Sequence, residues 1–315
     1  MAKRFVDVTN DVAFRKIFGN ENKTEIIISF LNAVLKFEGD KRIREVSIVN
    51  PYQLARIAGE KASIVDVRAV DMRGRQFIVE MQVASKEGFG KRVQYYTCRD
   101  YSMQIERGDQ YPQLKPTHFI GILDFNFFEG KHYLSHHIIA EKDTREHKLT
   151  DIQFNFIELK KFNKKIDELE TLVEKWIFFI KNAEDEDEIP NNVDDEGLRE
   201  AYKDANKHSW TKEELKNYDN AFMAEQDARG RVTAAKKEGE AKGLEKKEIQ
   251  AVLGMDKNNI PIPVIADSLN ISEEKEEGVE RGWREGLSRE IISKIVGLTI
   301  EDVKKIIEQL EQENK

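Results

Sequence analysis

Hydrophobic positions recur at helical spacing at the start of the chain. Phe14, Ile17 and Phe18 lie among polar Asp11, Arg15 and Lys16, and Ile27, Phe30, Leu31, Val34 and Leu35 follow. The spacing predicts helices over residues 11–18 and 24–37, the first capped by Asn10. The period then shortens to two. Ser47 to Val49 reads as a strand ended by Pro51, and residues 62–70 and 76–83 alternate and are rich in β-branched and aromatic side chains. A helix is predicted after Gly90, with Val93, Tyr96, Tyr101 and Ile105 along it, and the apolar run from Thr117 to Phe125 suits a buried strand. The order α-α-β-β-β-α-β predicts a mixed sheet flanked by helices.

Beyond residue 130 the pattern is looser. Residues 133–139 and 152–159 read as strands, which places His136 and His137 on opposite faces of the first and His132 just before it, a pattern that argues against a metal site of the three. Ile166, Leu169, Leu172, Val173, Trp176, Ile177 and Ile180 mark an amphipathic helix. The acid run Glu184 to Glu188, followed by Pro190, reads as a boundary. Charged helices are expected over 196–235, one opening with the capping-box pattern Thr211-Lys212-Glu213-Glu214. In the tail, Ile265, Leu269, Ile271, Ser272 and Glu274 are matched by Ile292, Val296, Leu298, Thr299 and Glu301. Each unit suits a helix-turn-helix. The expected division is a core over 1–183, a charged helical linker over 184–235 and a helical tail over 236–315.

The candidate chemistry lies on the two alternating runs. If Met72-Arg73-Gly74 is the turn, with Gly74 left-handed, Asp66 stands opposite Glu80. Val65, Val67, Ala69, Phe77, Val79, Met81 and Val83 then form the reverse, core-facing side. Like charges opposed across a hairpin repel, and a divalent cation between them reverses the sign, since carboxylates are natural Mg²⁺ ligands. Gln82, two residues after Glu80, points the same way. A polar strand face, or an Asp solvated at a strand end, accounts for the same residues without a metal.

Asp66, the turn and Glu80-Met81-Gln82 resemble the PD-(D/E)XK nuclease core in the variant of the Rpn group, recombination-promoting nucleases also called PD-(D/E)XK family transposases. Asn10-Asp11-Val12-Ala13-Phe14-Arg15-Lys16-Ile17-Phe18-Gly19 is similar to that group's opening helix, and Phe30 to Leu35 to the segment after it. Arg92 to Tyr96, Gly108 to Tyr111 and Pro116 to Ile122 resemble the stretch after the active-site strand. The resemblance implies an α/β restriction-endonuclease-like core, to which the sequence pattern adds an α-helical C-terminal tail. It also implies metal-dependent hydrolysis of DNA, using Mg²⁺ or a similar ion such as Mn²⁺, and a link to recombination or mobile elements. Carried over by position, Asp66 and Glu80 hold the metal and Gln82 stands where a Lys is usual. A Gln brings a dipole where a Lys brings a fixed charge. A nuclease-fold protein of weak or no activity, binding DNA or protein through its tail, is the rival expectation.

Charge distribution suits a DNA partner better than the net charge of −8 suggests. Residues 1–130 hold 20 Lys and Arg against 17 Asp and Glu, and the acidic excess falls later in the chain. Arg68, Arg92 and Arg99 are the expected backbone-binding residues. Asp11, Glu21 and Glu25 are candidates for a further acid from an early helix. The acidic tail reads as a self-association or partner surface rather than a DNA reader. One cysteine, Cys98, excludes an internal disulfide and a Cys-based zinc site. No apolar run is long enough for a membrane span, no apolar stretch follows Met1-Ala2-Lys3-Arg4 to suggest a signal peptide, and a cytoplasmic protein is expected.

Overall fold

Asn10 starts the first helix, α1 (Asp11–Phe18), by accepting hydrogen bonds from the Val12 and Ala13 backbone N–H groups. The computed structural model describes residues 3–53, 63–224, part of 226–239 and 275–313. After α1 come α2 (Thr24–Leu35), β1 (Val46–Val49) and a short ribbon of β2 (Tyr52–Gln53) with β3 (Ser63–Ile64). The hairpin β4 (Val67–Asp71) and β5 (Gln76–Gln82) leads to α3 (Phe89–Ser102), β6 (Thr117–Leu123), β7 (Leu134–Ile138) and β8 (Ile152–Glu158). The helices α4 (Leu172–Asn182) and α5 (Glu196–Ala205) follow, then α6 over residues 212–224.

Six strands form one sheet in the order β1-β4-β5-β6-β8-β7. β5, β6 and β8 run parallel, and β1, β4 and β7 pair antiparallel with their neighbours. This is the mixed sheet flanked by helices that the element order implies. The hairpin register pairs Val67 with Val79 and Ala69 with Phe77, as the turn predicts. Gly74 has φ +79°, a conformation that favours glycine. The Asp71 carboxylate fastens the turn by accepting from the Arg73 and Arg75 N–H groups.

Both faces of the sheet are buried. On one, Val67, Ala69, Phe77, Val79, Met81, Ile120 and Ile122 share a core with α1, α2, α4 and α5. On the other, Ile78, Phe119, Leu123 and Phe156 pack on Phe89 and Val93 of α3. Val65 belongs to this second core and not with Val67, because the chain bends at Asp66 and breaks the alternation.

The first compact unit runs from Met1 to Gln226, well past the expected boundary at residue 183. Leu198, Ala201, Tyr202, Ala205, Trp210 and Tyr218, placed by sequence in a linker, are core residues. The Tyr218 hydroxyl accepts from the Asp7 N–H (2.9 Å), and Asp204 receives Lys23. Gly197 lets α5 lie against α2: a Cβ there would come within 2.3 Å of the Glu25 carbonyl oxygen. The charged residues are the solvated side of a packed helix, and its apolar side closes the core.

The second unit spans 227–315. Its described helices are α7 (Lys275–Arg284), α8 (Arg289–Val296) and α9 (Ile300–Glu313). Ser288 caps α8, left-handed Gly297 ends it, and Val279, Ile292, Val296, Val303 and Ile307 share a small core. These helices take in Ile292 to Glu301, the residues of the second expected helix-turn-helix unit; those of the first lie outside the described residues.

Two changes test the place of α5. Gly197→Ala will lower stability by about 1–3 kcal/mol, the usual cost of overpacking, read as a fall in melting temperature. A chain ending at Ala183 will lose cooperative unfolding altogether. A parent-like transition in the shortened chain would show that α5 is dispensable, and one in Gly197→Ala would show that α5 is not tightly packed on α2.

Candidate active site

The site forms where β4 and β5 part company. Val67 still pairs with Val79, but one residue earlier the chain turns away, and the Val65 N–H goes to the Pro51 carbonyl. Asp66 fills the gap with its side chain: Oδ2 accepts from the Met81 N–H at 2.9 Å. The carboxylate thus takes the place of a ladder carbonyl, and a buried N–H keeps a partner. Glu80 sits on β5 beside Gly121 of β6 and is 3% exposed. These backbone constraints bring the two acids to one end of the sheet.

Burial pushes the Glu80 carboxyl up to about 8, and the nearby Asp66 charge adds to the rise. The Arg92 and Arg15 charges oppose it. Asp66 is also pushed upward by burial, with the Met81 N–H and Arg15 pulling it back. Two buried carboxyls therefore compete for too little positive charge.

Gln82 is held from both sides. Arg92 Nη2 donates to its Oε1 at 2.7 Å, and its amide nitrogen faces Glu80 Oε2 at 3.3 Å. Because an arginine only donates, this contact requires the amide oxygen toward Arg92 and leaves the amide N–H groups toward Glu80. The guanidinium of Arg92 also lies near the Phe89 ring, 5.5 Å from its centroid.

A cleft of about 490 Å³ opens over these groups. Asn10, Asp11 and Arg15 of the α1 end line it, with Lys86, Arg92, Tyr96 and, from α6, Ala221 and Ala224. Arg15 places Nε and Nη2 on Asp66 Oδ1, at 3.1 and 2.9 Å, and Nη2 is also 2.9 Å from Asp11 Oδ1. In the sequence Arg15 is one of the polar residues between the apolar positions of α1. Its one local signal is the position of Asp11 a helical turn earlier.

Of the three arginines expected to hold a DNA backbone, the structure brings only Arg92 to the cleft. Arg68 bonds the Asn50 carbonyl and pairs with buried Asp100 of α3. Arg99 is 9% exposed and donates to the Tyr95 hydroxyl. Both are engaged in packing around α3. Asp11 is the early acid at the cleft; Glu21 and Glu25 are not among its lining residues. His136 bonds Asn155 and His137 stacks on Phe128, so both belong to the β7 edge, and His132 lies before that strand.

Among the described residues, no three His, Cys, Asp or Glu side chains converge to cage a metal. The donor set nevertheless fits Mg²⁺ or Mn²⁺. Mg²⁺ sites commonly use one or two carboxylates plus waters and substrate phosphates. Asp66 and Glu80 supply the carboxylates, in a cleft where added positive charge relieves their repulsion.

The raised Glu80 makes a testable demand on stability. In chelator, the unfolded chain releases the Glu80 proton near pH 4.5 and the folded chain retains it to about pH 8. Stability contributed by Glu80 therefore falls as pH rises through that window, on the order of 1.4 kcal/mol per pH unit. Glu80→Gln will remove this slope and melt higher than the parent at alkaline pH. Equal slopes in the two proteins would refute the assignment.

No helix among the described residues is long and apolar enough to cross a membrane. Searches of curated proteins and of solved structures return no match. A family model, PD-(D/E)XK nuclease family transposase, matches residues 8–235, from just before α1 through the cleft and past α6. That match takes in most of the chain, every strand of the sheet and both acids at its split end, so the chain belongs to the PD-(D/E)XK nuclease family transposases.

Proposed function

We propose that the protein is a metal-dependent DNA endonuclease and that Asp66 and Glu80 hold its metal. Family membership supports a nuclease or transposase-like activity with DNA as substrate. The observation that carries the finer reading is the pair of buried carboxyls, one of them raised to about 8, at the floor of an open cleft. The Met81 N–H gives Asp66 a structural task, but it does not account for a second carboxyl, Glu80, buried beside it, and perturbed acids in a cleft mark functional sites.

A divalent cation at these carboxylates supplies Lewis-acid polarisation of a phosphate and eases deprotonation of a water. The chain's own residues do the rest. The Met81 N–H fixes the direction of Asp66. Arg92 fixes the amide of Gln82, whose N–H groups then orient a water or a phosphate oxygen near Glu80. Arg92 and Lys86 offer the cleft wall to the DNA backbone. Gln82 adds no charge of its own, so neutralisation of the phosphate falls to the cation and to arginines.

The tail serves association between chains on this reading. Its last helix opens with Glu301 and Asp302, which repel a phosphate backbone.

Supercoiled plasmid incubated with Mg²⁺ or Mn²⁺ will be nicked or linearised, and chelator will stop the reaction. Asp66→Asn and Glu80→Gln will each slow cleavage at least about a hundredfold, the scale of losing one electrostatic contributor to a transition state. Folded variants that cut as fast as the parent would eliminate the assignment.

A further inference from the structure

The site lacks the fixed charge that a Lys would bring in place of Gln82, and the structure holds another cation beside it. We infer that Arg15 is a second phosphate-binding residue of this site, held on Asp66 as a stand-in counter-charge until a metal ion takes over that carboxylate. The inference rests on the endonuclease reading above and deepens it.

Three observations carry it. First, Arg15 puts two N–H groups on a single oxygen of Asp66, Oδ1, while Oδ2 belongs to the Met81 N–H. A fork laid on one oxygen is not the paired two-oxygen geometry that makes arginine–carboxylate bridges strong. Second, Arg15 also pairs with Asp11, which lies one helical turn back on the same helix and is 58% exposed. Asp11 is carried by the same helix as Arg15, so this anchor in the cleft does not depend on Asp66. Third, the backbone of α1 is rigidly placed by buried Phe14, Ile17 and Phe18, while the Arg15 side chain is 46% exposed and lines the cleft. It has room to move without moving the helix.

Arg92 is less suited to this task, since Nη2 orients Gln82 and its guanidinium lies against Phe89. Lys86 stands on the exposed loop before α3 rather than on a fixed helix. Among the basic residues that line the cleft, Arg15 joins a fixed origin, a half-exposed head and a direct bond to a proposed metal ligand. With a cation on Asp66, the guanidinium has lost one acid partner beside the cleft, and a phosphate of the bound strand replaces it with a planar, charge-assisted contact.

The test separates this role from simple support of Asp66. Mn²⁺ binding to the full chain without DNA is measured from the free-ion paramagnetic resonance signal, for the parent, Arg15→Ala and Arg15→Lys, at one pH. Plasmid cleavage is followed in parallel, and each variant is first checked by its melting transition. If Arg15→Ala does not fold, Arg15→Gln takes its place. Removing the competing cation will tighten Mn²⁺ binding about fivefold, the factor that a partly exposed ion pair is worth. At saturating Mn²⁺ the same variant will have a lower kcat, and Arg15→Lys will recover part of it. Weaker or unchanged Mn²⁺ binding by the folded variant, or a cleavage rate equal to the parent's, overturns the proposal. A parent that neither binds Mn²⁺ nor cuts DNA defeats the endonuclease reading itself, and this inference with it.

Discussion

Glu80 is buried next to Asp66, and the arrangement around them follows from the need to neutralise that pair. Removing water from a carboxylate raises the energy of its charged form, and a second carboxylate nearby raises it further. The Glu80 carboxyl consequently moves up to about 8. The protein answers with a backbone N–H on Asp66, an arginine from α1 and another from α3. These partners hold the site together without removing its appetite for positive charge.

The fold explains why that charge collects at one place. The sheet is covered on both faces, and at its split end residues of α1 and α3 line one cleft. The hairpin brings Asp66 and Glu80 there, and α3 brings Arg92 and Tyr96. α6 contributes small side chains, Ala221 and Ala224, which leave space where larger ones would close the cleft. A segment rich in charged residues is therefore part of the site's wall.

The hairpin was legible in the sequence because its information is local. Alternation fixes which side chains face the core, Gly74 fixes the turn, and together they fix the register that sets Asp66 near Glu80. The family resemblance read from the same residues pointed to the right fold. What was not legible depends on contacts across long stretches of chain. Arg15 meets Asp66 from 51 residues away, and Tyr218 meets Asp7 from 211 away. The apolar stripe of Leu198, Ala201, Tyr202 and Ala205 is present in the sequence, but charged neighbours mask it. Arg68 and Arg99 are close to the acids in sequence, yet the face each occupies commits it to other partners. Val65 shows the opposite error: alternation put it with Val67, and the bend that frees Asp66 turned it to the other core.

The central claim is that Asp66 and Glu80 form one cation-binding pair. Anomalous diffraction from crystals soaked in Mn²⁺ tests it most directly, because it locates the ion without reliance on turnover. The account predicts a peak within coordination distance of carboxylate oxygens from both residues. A well-ordered site with no peak there, or Mn²⁺ bound only at other acids, would contradict it.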